Sequence, residues 1–142
     1  MTRIDFYSNA EPKLHVACQL VAKAVQQQLR VVVYAPDDGA AHDIDRLLWT
    51  FHATGFVPHT MAAHALASET PVVIAREESE ITLCQIMVNL HEEAPASFSR
   101  FERLIEIVGK DDLDRQLARN RYRHYRDRGY EIQHHDLAAT GA

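Results

Sequence analysis

Residues 30–34 carry three consecutive valines, Val31, Val32 and Val33, between Arg30 and Tyr34. A short apolar run without polar alternation fits a strand buried on both faces, which is the position of a strand in a helix-covered parallel sheet. The preceding segment agrees. Residues 3–7 alternate polar and apolar with a β-branched and aromatic bias and stop at Ser8-Asn9-Ala10-Glu11-Pro12, so they read as a first strand. From Pro12 onward, Leu14, Val16, Ala17, Leu20, Val21, Ala24 and Val25 recur at helical spacing, with proline suited to a first turn. The expected helix has about four turns. Strand, helix and strand in this order make a βαβ unit, and its parallel strands need a helical cover.

The rest of the chain continues the pattern. Asp37-Asp38 offers a cap for a helix over about residues 39–49, with Ile44, Leu47 and Leu48 as its apolar stripe. Residues 56–59, 72–75 and 81–90 are apolar pieces bounded by proline or charge and predict two or three further strands. His91-Glu92-Glu93-Ala94-Pro95 interrupts them. A strand over 103–108, a turn at Gly109-Lys110 and a helix over 111–128 follow, the helix opened by acidic residues and ended by Gly129. Residues 134–142 read as a flexible tail. The expectation is a single-domain, three-layer α/β fold over residues 1–133, Rossmann-like, with a mostly parallel central sheet. At 142 residues and 46% hydrophobic, the chain is large and apolar enough for one such core. The turn over 7–13 holds no glycine, and neither phosphate-loop fingerprint can be drawn elsewhere, so the fold should lack a Gly-rich phosphate loop and take no dinucleotide. No cofactor is expected.

Lys and Arg number 15 against 20 Asp and Glu, a net charge of -5 that argues against coating nucleic acid by bulk electrostatics. Positive charge is instead local. Residues 115–128 hold six arginines against Asp127 alone, a charge of +5. At about 100° per residue, Arg115, Arg119, Tyr122, Arg123 and Arg126 share one stripe, while Leu113, Leu117 and His124 lie opposite and should dock on the sheet. One reading is a solvated helix face whose arginines favour the negative end of the helix dipole. The other is a site for an acidic partner, since arginine grips carboxylates bidentately and stacks on aromatic rings. An acidic peptide with an apolar side chain suits this stripe better than a phosphate backbone alone. Direct single-stranded DNA binding by the same arginines and tyrosine stays as the alternative.

Other chemistry is less supported by the residues. His52, His59, His64, His134 and His135 do not form a spacing expected of a metal centre. Cys18 and Cys84 sit in apolar periodic segments and read as buried thiols; a Cys84 nucleophile would need an exposed thiolate in mid-strand. The carboxylate pairs Glu77-Glu78 and Glu92-Glu93 fit solvated loops. No catalytic residues are expected. No segment reaches the roughly 18–20 consecutive apolar residues that span a bilayer, and the first residues lack a signal-peptide core, so a cytoplasmic chain is expected.

Three words carry a resemblance: Thr2-Arg3-Ile4-Asp5-Phe6-Tyr7, then Leu47-Leu48-Trp49 with Gly55-Phe56-Val57-Pro58-His59, then residues 116–126, QLARNRYRHYR. Together they resemble the chi subunits of bacterial DNA polymerase III, nearly end to end. The resemblance implies a Rossmann-like accessory subunit of the clamp-loader assembly without catalysis, linking the replicase to single-stranded-DNA-binding protein. It implies that the acidic C-terminal tail of that protein docks on the last helix at Arg115, Arg119, Tyr122 and Arg123, with Val108 and Gly129 near its terminal phenylalanine. Family members often carry lysine where this chain has Arg115 and Arg123; the charge is kept and the donor geometry differs. A second surface around Trp49 and Phe56 is implied for the psi subunit or a helicase-like partner. From the residues alone, Trp49 is equally a core residue. DNA contact is expected to be mainly indirect.

Overall fold

The computed structural model of the chain describes residues 1–50, 59–61, 70–81 and 85–138. Its elements run β1 (Arg3–Ser8), α1 (Lys13–Gln26), β2 (Val31–Tyr34), α2 (Asp38–Thr50), β3 (His59–Met61), β4 (Val72–Ala75), β5 (Ile86–Asn89), β6 (Arg103–Ile107), α3 (Asp112–Asp127) and β7 (Ile132–Asp136). Short 3-10 turns occupy Glu78–Glu80 and Phe98–Arg100. The strands form one sheet in the order β3-β4-β2-β5-β6-β1-β7, and every neighbouring pair is parallel. The expected α/β fold with a parallel sheet is present, and among the described residues every strand pairing is parallel.

Two apolar layers enclose the sheet. Val31, Val33, Ile74, Val88 and Ile105 point to one face, where they meet Ala17, Cys18 and Val21 of α1 and Ala41, Ile44 and Leu48 of α2. Ile4, Phe6, Val32, Met87 and Leu104 point to the other face and meet Ala118 and Tyr125 of α3. The valine run is therefore buried on both sides, as its lack of alternation requires. Asp37 Oδ1 accepts from the Ala40 N–H at 2.8 Å and caps α2.

The last strand corrects the first part of the expected tail, and residues 139–142 of it lie outside the described residues. His134, His135 and Asp136 belong to β7, which pairs with β1 along Ile4–Ser8 at the sheet edge. Only Ile132 is apolar in this strand, so its order comes from the β1 ladder and from side-chain bonds. Buried Asp5 is the centre of these bonds. Its Oδ2 accepts from Arg103 Nε at 2.7 Å and Arg3 Nε at 3.3 Å, and its Oδ1 accepts from His135 Nε2 at 3.0 Å. The His135 ring stacks on Tyr7 at 4.4 Å.

Burial alone would push the Asp5 carboxyl up; the His135 and Arg103 bonds and the Arg103 and Arg3 charges outweigh it and hold the group below the ordinary carboxylate range. A carboxyl depressed by folding stabilises the protein above its unfolded pKa, and this stability is lost as pH falls through the folded value. Asp5→Asn should thus flatten the acid limb of the stability curve below about pH 4. Thermal melts at stepped pH test this, and an unchanged acid slope in the variant would contradict it.

Candidate functional site: a cationic cleft between the last helix and the sheet edge

The chain leaves β1 through α1 toward β2, on one side, and leaves β6 through α3 past β1 to β7, on the other. Connections that diverge from adjacent strands open a crevice at their carboxyl ends, where parallel α/β sheets place ligands. A cleft of about 410 Å³ lies here, on the α3 side. Phe6, Val108, Ala118 and Tyr122 supply its apolar lining, and Arg115 and Arg119 its positive charge. Ser8, Asn9, His134 and Asp136 complete it.

Local structure positions each group. Asp111 Oδ1 accepts from the Asp114 N–H at 2.7 Å and starts α3, and Asp114 Oδ2 accepts from the Gly109 N–H at 2.6 Å, tying the helix to the end of β6. Asn9 adopts φ 58°, a left-handed conformation that asparagine tolerates, at the end of β1. Its amide links both walls: Asn9 Nδ2 donates to Asp136 Oδ1 at 2.7 Å, and Asn9 Oδ1 accepts from Arg115 Nη2 at 3.0 Å. His134 Nε2 and Ser8 Oγ lie 2.9 Å apart. The Tyr122 ring meets Phe6 edge-on at 5.6 Å and stays 39% exposed. Cationic heads above an apolar floor can hold an anion that carries an apolar side chain.

Four expected site residues, Val108, Arg115, Arg119 and Tyr122, are brought together in this cleft. Arg123 is exposed, donates to Asn120 Oδ1 and is not among the lining residues. Gly129 has a different task. With φ 81° it follows α3 as the left-handed stop: its N–H bonds the Arg126 carbonyl at 2.9 Å and the Tyr130 N–H bonds the Tyr125 carbonyl at 3.2 Å. Trp49 is 54% exposed on α2, which favours the surface reading over the core one; Phe56 and Cys84 lie outside the described residues. Cys18 is buried, and burial pushes its thiol up to about 12. Among the described residues, no group of three His, Cys, Asp or Glu could hold a metal ion, and no helix is long and apolar enough to cross a membrane.

The docking face of α3 is also corrected. Leu113 is 68% exposed, and the sheet side is made by Ala118, Arg121 and Tyr125. The reason is Glu106, a fully buried carboxylate on β6. Arg121 Nε donates to it at 2.9 Å, Asn89 Nδ2 donates at 2.9 Å, and the Tyr125 hydroxyl donates to the same carboxylate. Arg121 Nη1 also reaches the Glu92 carbonyl at 2.9 Å. Leaving Glu106 without donors would cost more than leaving Leu113 in water, so the polar line wins the interior. Sequence reasoning missed Phe6, Ser8, Asn9, Ala118, His134 and Asp136. The rule that ligands sit at strand carboxyl ends would have found Ser8 and Asn9.

Comparison with known proteins agrees with the architecture. The family described as DNA polymerase III chi subunit, HolC, matches residues 1–133. The DNA polymerase III subunit chi of Pseudomonas aeruginosa is 36% identical over 141 residues, covering 96% of this chain and 98% of that protein. Its Escherichia coli counterpart is 28% identical over 132 residues, covering 92% and 88%. Among solved structures, S. cerevisiae Dbp5 bound to Nup159, Gle1, IP6 and ADP aligns with a TM-score of 0.62 at 14% identity, over 96% of this chain and 42% of that one. The Dbp5 C-terminal domain bound to Gle1 and IP6 gives 0.57 at 10% identity, over 96% and 90%. At those identities only the fold is shared. A family match spanning nearly the whole domain, joined to a relative sharing more than a third of its residues, means that the chain belongs to the DNA polymerase III chi subunit family.

Proposed function

We propose that this accessory subunit is a non-catalytic adaptor in DNA replication, linking the clamp loader to single-stranded-DNA-binding protein by holding that protein's acidic C-terminal tail. The observation that carries the reading is the pairing, in one cleft, of Arg115 and Arg119 with an apolar floor of Phe6, Val108, Ala118 and Tyr122. An acidic peptide ending in an apolar side chain satisfies both halves. The guanidinium groups take its carboxylates, and the floor takes its ring. Arg123, on the outer side of α3, meets carboxylates further back along the tail, and Gly129 acts by ending the helix. The second partner, the psi subunit or a helicase-like protein, uses the face around Trp49 and Phe56; the 54% exposure of Trp49 supports this. DNA contact is indirect, consistent with a net charge of -5. Soluble cytoplasm is where such an adaptor works.

A fluorescence-anisotropy titration tests the reading, with a labelled acidic tail peptide of single-stranded-DNA-binding protein beside labelled oligo-dT. Exposed ion pairs and the ordering of a flexible peptide predict an affinity on the order of micromolar that weakens with added salt. Arg119→Ala should weaken peptide binding by about tenfold, the scale of one lost charged contact. Binding to oligo-dT but not to the peptide would instead make the arginine stripe a single-stranded nucleic-acid platform and end the adaptor reading.

A further inference from the structure

We propose that the buried cluster of Glu106, Arg121 and Tyr125 is a rotational key that chooses which face of α3 meets the sheet, and thereby positions the cleft residues on the other flank of the helix. The part of this proposal that concerns affinity rests on the tail-binding reading; the rotation itself does not.

The helix has two candidate docking faces. One is apolar by sequence: Leu113 and Leu117, with His124; in the observed register Leu117 and His124 are half-buried at its margin, His124 edge-on to Phe98, and Leu113 is left in water. The other is the observed one, Ala118, Arg121 and Tyr125. Their mean directions differ by roughly 90° around the helix axis at 3.6 residues per turn. The stripe of Arg115, Arg119 and Tyr122 lies roughly another 90° beyond the observed face. In the observed register, that stripe stands over the crevice, and the Tyr122 ring reaches Phe6. A quarter turn that buried Leu113 would carry the stripe away from the sheet and out into solvent. Hydrophobicity alone therefore favours the register that destroys the cleft.

The key opposes this through geometry. Glu106 sits on β6 with 0% exposure, and its donors come from two sides: Arg121 and Tyr125 on α3, and Asn89 on the neighbouring strand β5. Arg121 spans further, to the Glu92 carbonyl after β5. These bonds form together in a single rotation of α3. Buried ionic groups are often replaceable by apolar ones at little cost in stability, and their best-attested use is to select one register among several. The sequence at hand supplies the alternative register that makes such selection necessary.

The test replaces the cluster by alanine, Glu106→Ala with Arg121→Ala and Tyr125→Ala, so that no charge is left buried alone and the observed face becomes less apolar than the one that carries Leu113 and Leu117. Far-ultraviolet circular dichroism and urea unfolding should show a helical, cooperatively folded protein. Nuclear Overhauser contacts between the Tyr122 and Phe6 rings, present in the wild type, should be lost, and tail-peptide affinity should fall by about tenfold or more. Adding Leu113→Glu, which removes the competing face, should restore both. A triple variant that keeps the ring contact overturns the proposal, as does one in which Leu113→Glu restores nothing. Should the triple variant unfold, Glu106→Ala with Arg121→Ala decides: a ring contact weakened and then restored by Leu113→Glu upholds the key, and a contact left unchanged, or weakened and not restored, overturns it. If the wild type itself fails to bind the peptide, the tail reading falls, and the ring contact still decides the rotation.

Discussion

Arg121→Ala should lower the unfolding free energy by about 3–5 kcal/mol, the cost of removing one partner from a buried ion pair. Arg119→Ala, two residues away, should change it by no more than about 0.5 kcal/mol. Both residues belong to the same arginine-rich window, and the contrast comes from where the helix puts them. Arg121 is 3% exposed and faces a carboxylate that has no access to water. Burial pushes the Glu106 carboxyl up, and the Arg121 charge is foremost among the groups that oppose this, with the Tyr125 and Asn89 bonds behind it. Without Arg121, Glu106 must either stay charged in the interior or take a proton, and each option costs folding free energy. The Glu92 carbonyl loses a donor as well. Urea unfolding followed by circular dichroism measures both variants, and a thermal midpoint lowered on the order of 10 °C in Arg121→Ala alone is the matching signature. Equal stabilities would mean that the Glu106 cluster does not anchor the helix.

The same residues mark where the fold is legible in the sequence and where it is not. Strands that are buried on both faces announce themselves, because Val31, Val32 and Val33 leave no polar residue to satisfy. Helices α1 and α2 are equally plain, since apolar residues at Ala17, Cys18, Val21 and at Ala41, Ile44, Leu48 keep one periodicity. Helix α3 breaks that logic. Its buried line contains an arginine and a tyrosine, and the choice depends on Glu106, a partner fifteen residues back in the chain for Arg121 and on another element. Local patterning carries no information about such a pair. Strand β7 is hidden for a related reason: Gln133, His134 and His135 have low apolar content, and their order depends on Asp5 and Ser8 in β1. In the cleft, the α3 residues were legible because charge and aromatic spacing lie on one helix, and Ser8 and Asn9 were within reach because they end the first strand. His134 and Asp136 were not, because only the parallel β1–β7 pairing brings residues so distant in sequence together.

Reversing the two cleft charges, Arg115→Glu with Arg119→Glu, should weaken tail-peptide binding on the order of a hundredfold or more, a loss of about 3 kcal/mol. Removing a guanidinium forfeits a charge-assisted bond; placing a carboxylate there adds repulsion against an acidic ligand, and two such changes in one cleft act on the same peptide. The fold should tolerate them. Arg115 and Arg119 are exposed, and the hydrogen bond lost within the protein is the one from Arg115 Nη2 to Asn9 Oδ1. The unfolding free energy should therefore move by no more than about 1 kcal/mol, a surface hydrogen bond plus modest charge effects. Salt provides the internal check. Wild-type binding should weaken as ionic strength rises, because exposed charges are screened over about 10 Å at 0.1 M. The residual binding of the reversed variant should weaken less or strengthen, since screening now removes repulsion. Titrations at two salt concentrations read both slopes. A reversed variant that binds the peptide like the wild type would show that the arginines do not face the ligand, whereas lost binding with an unfolded protein would show that Arg115 and Asn9 hold the cleft together rather than serve it.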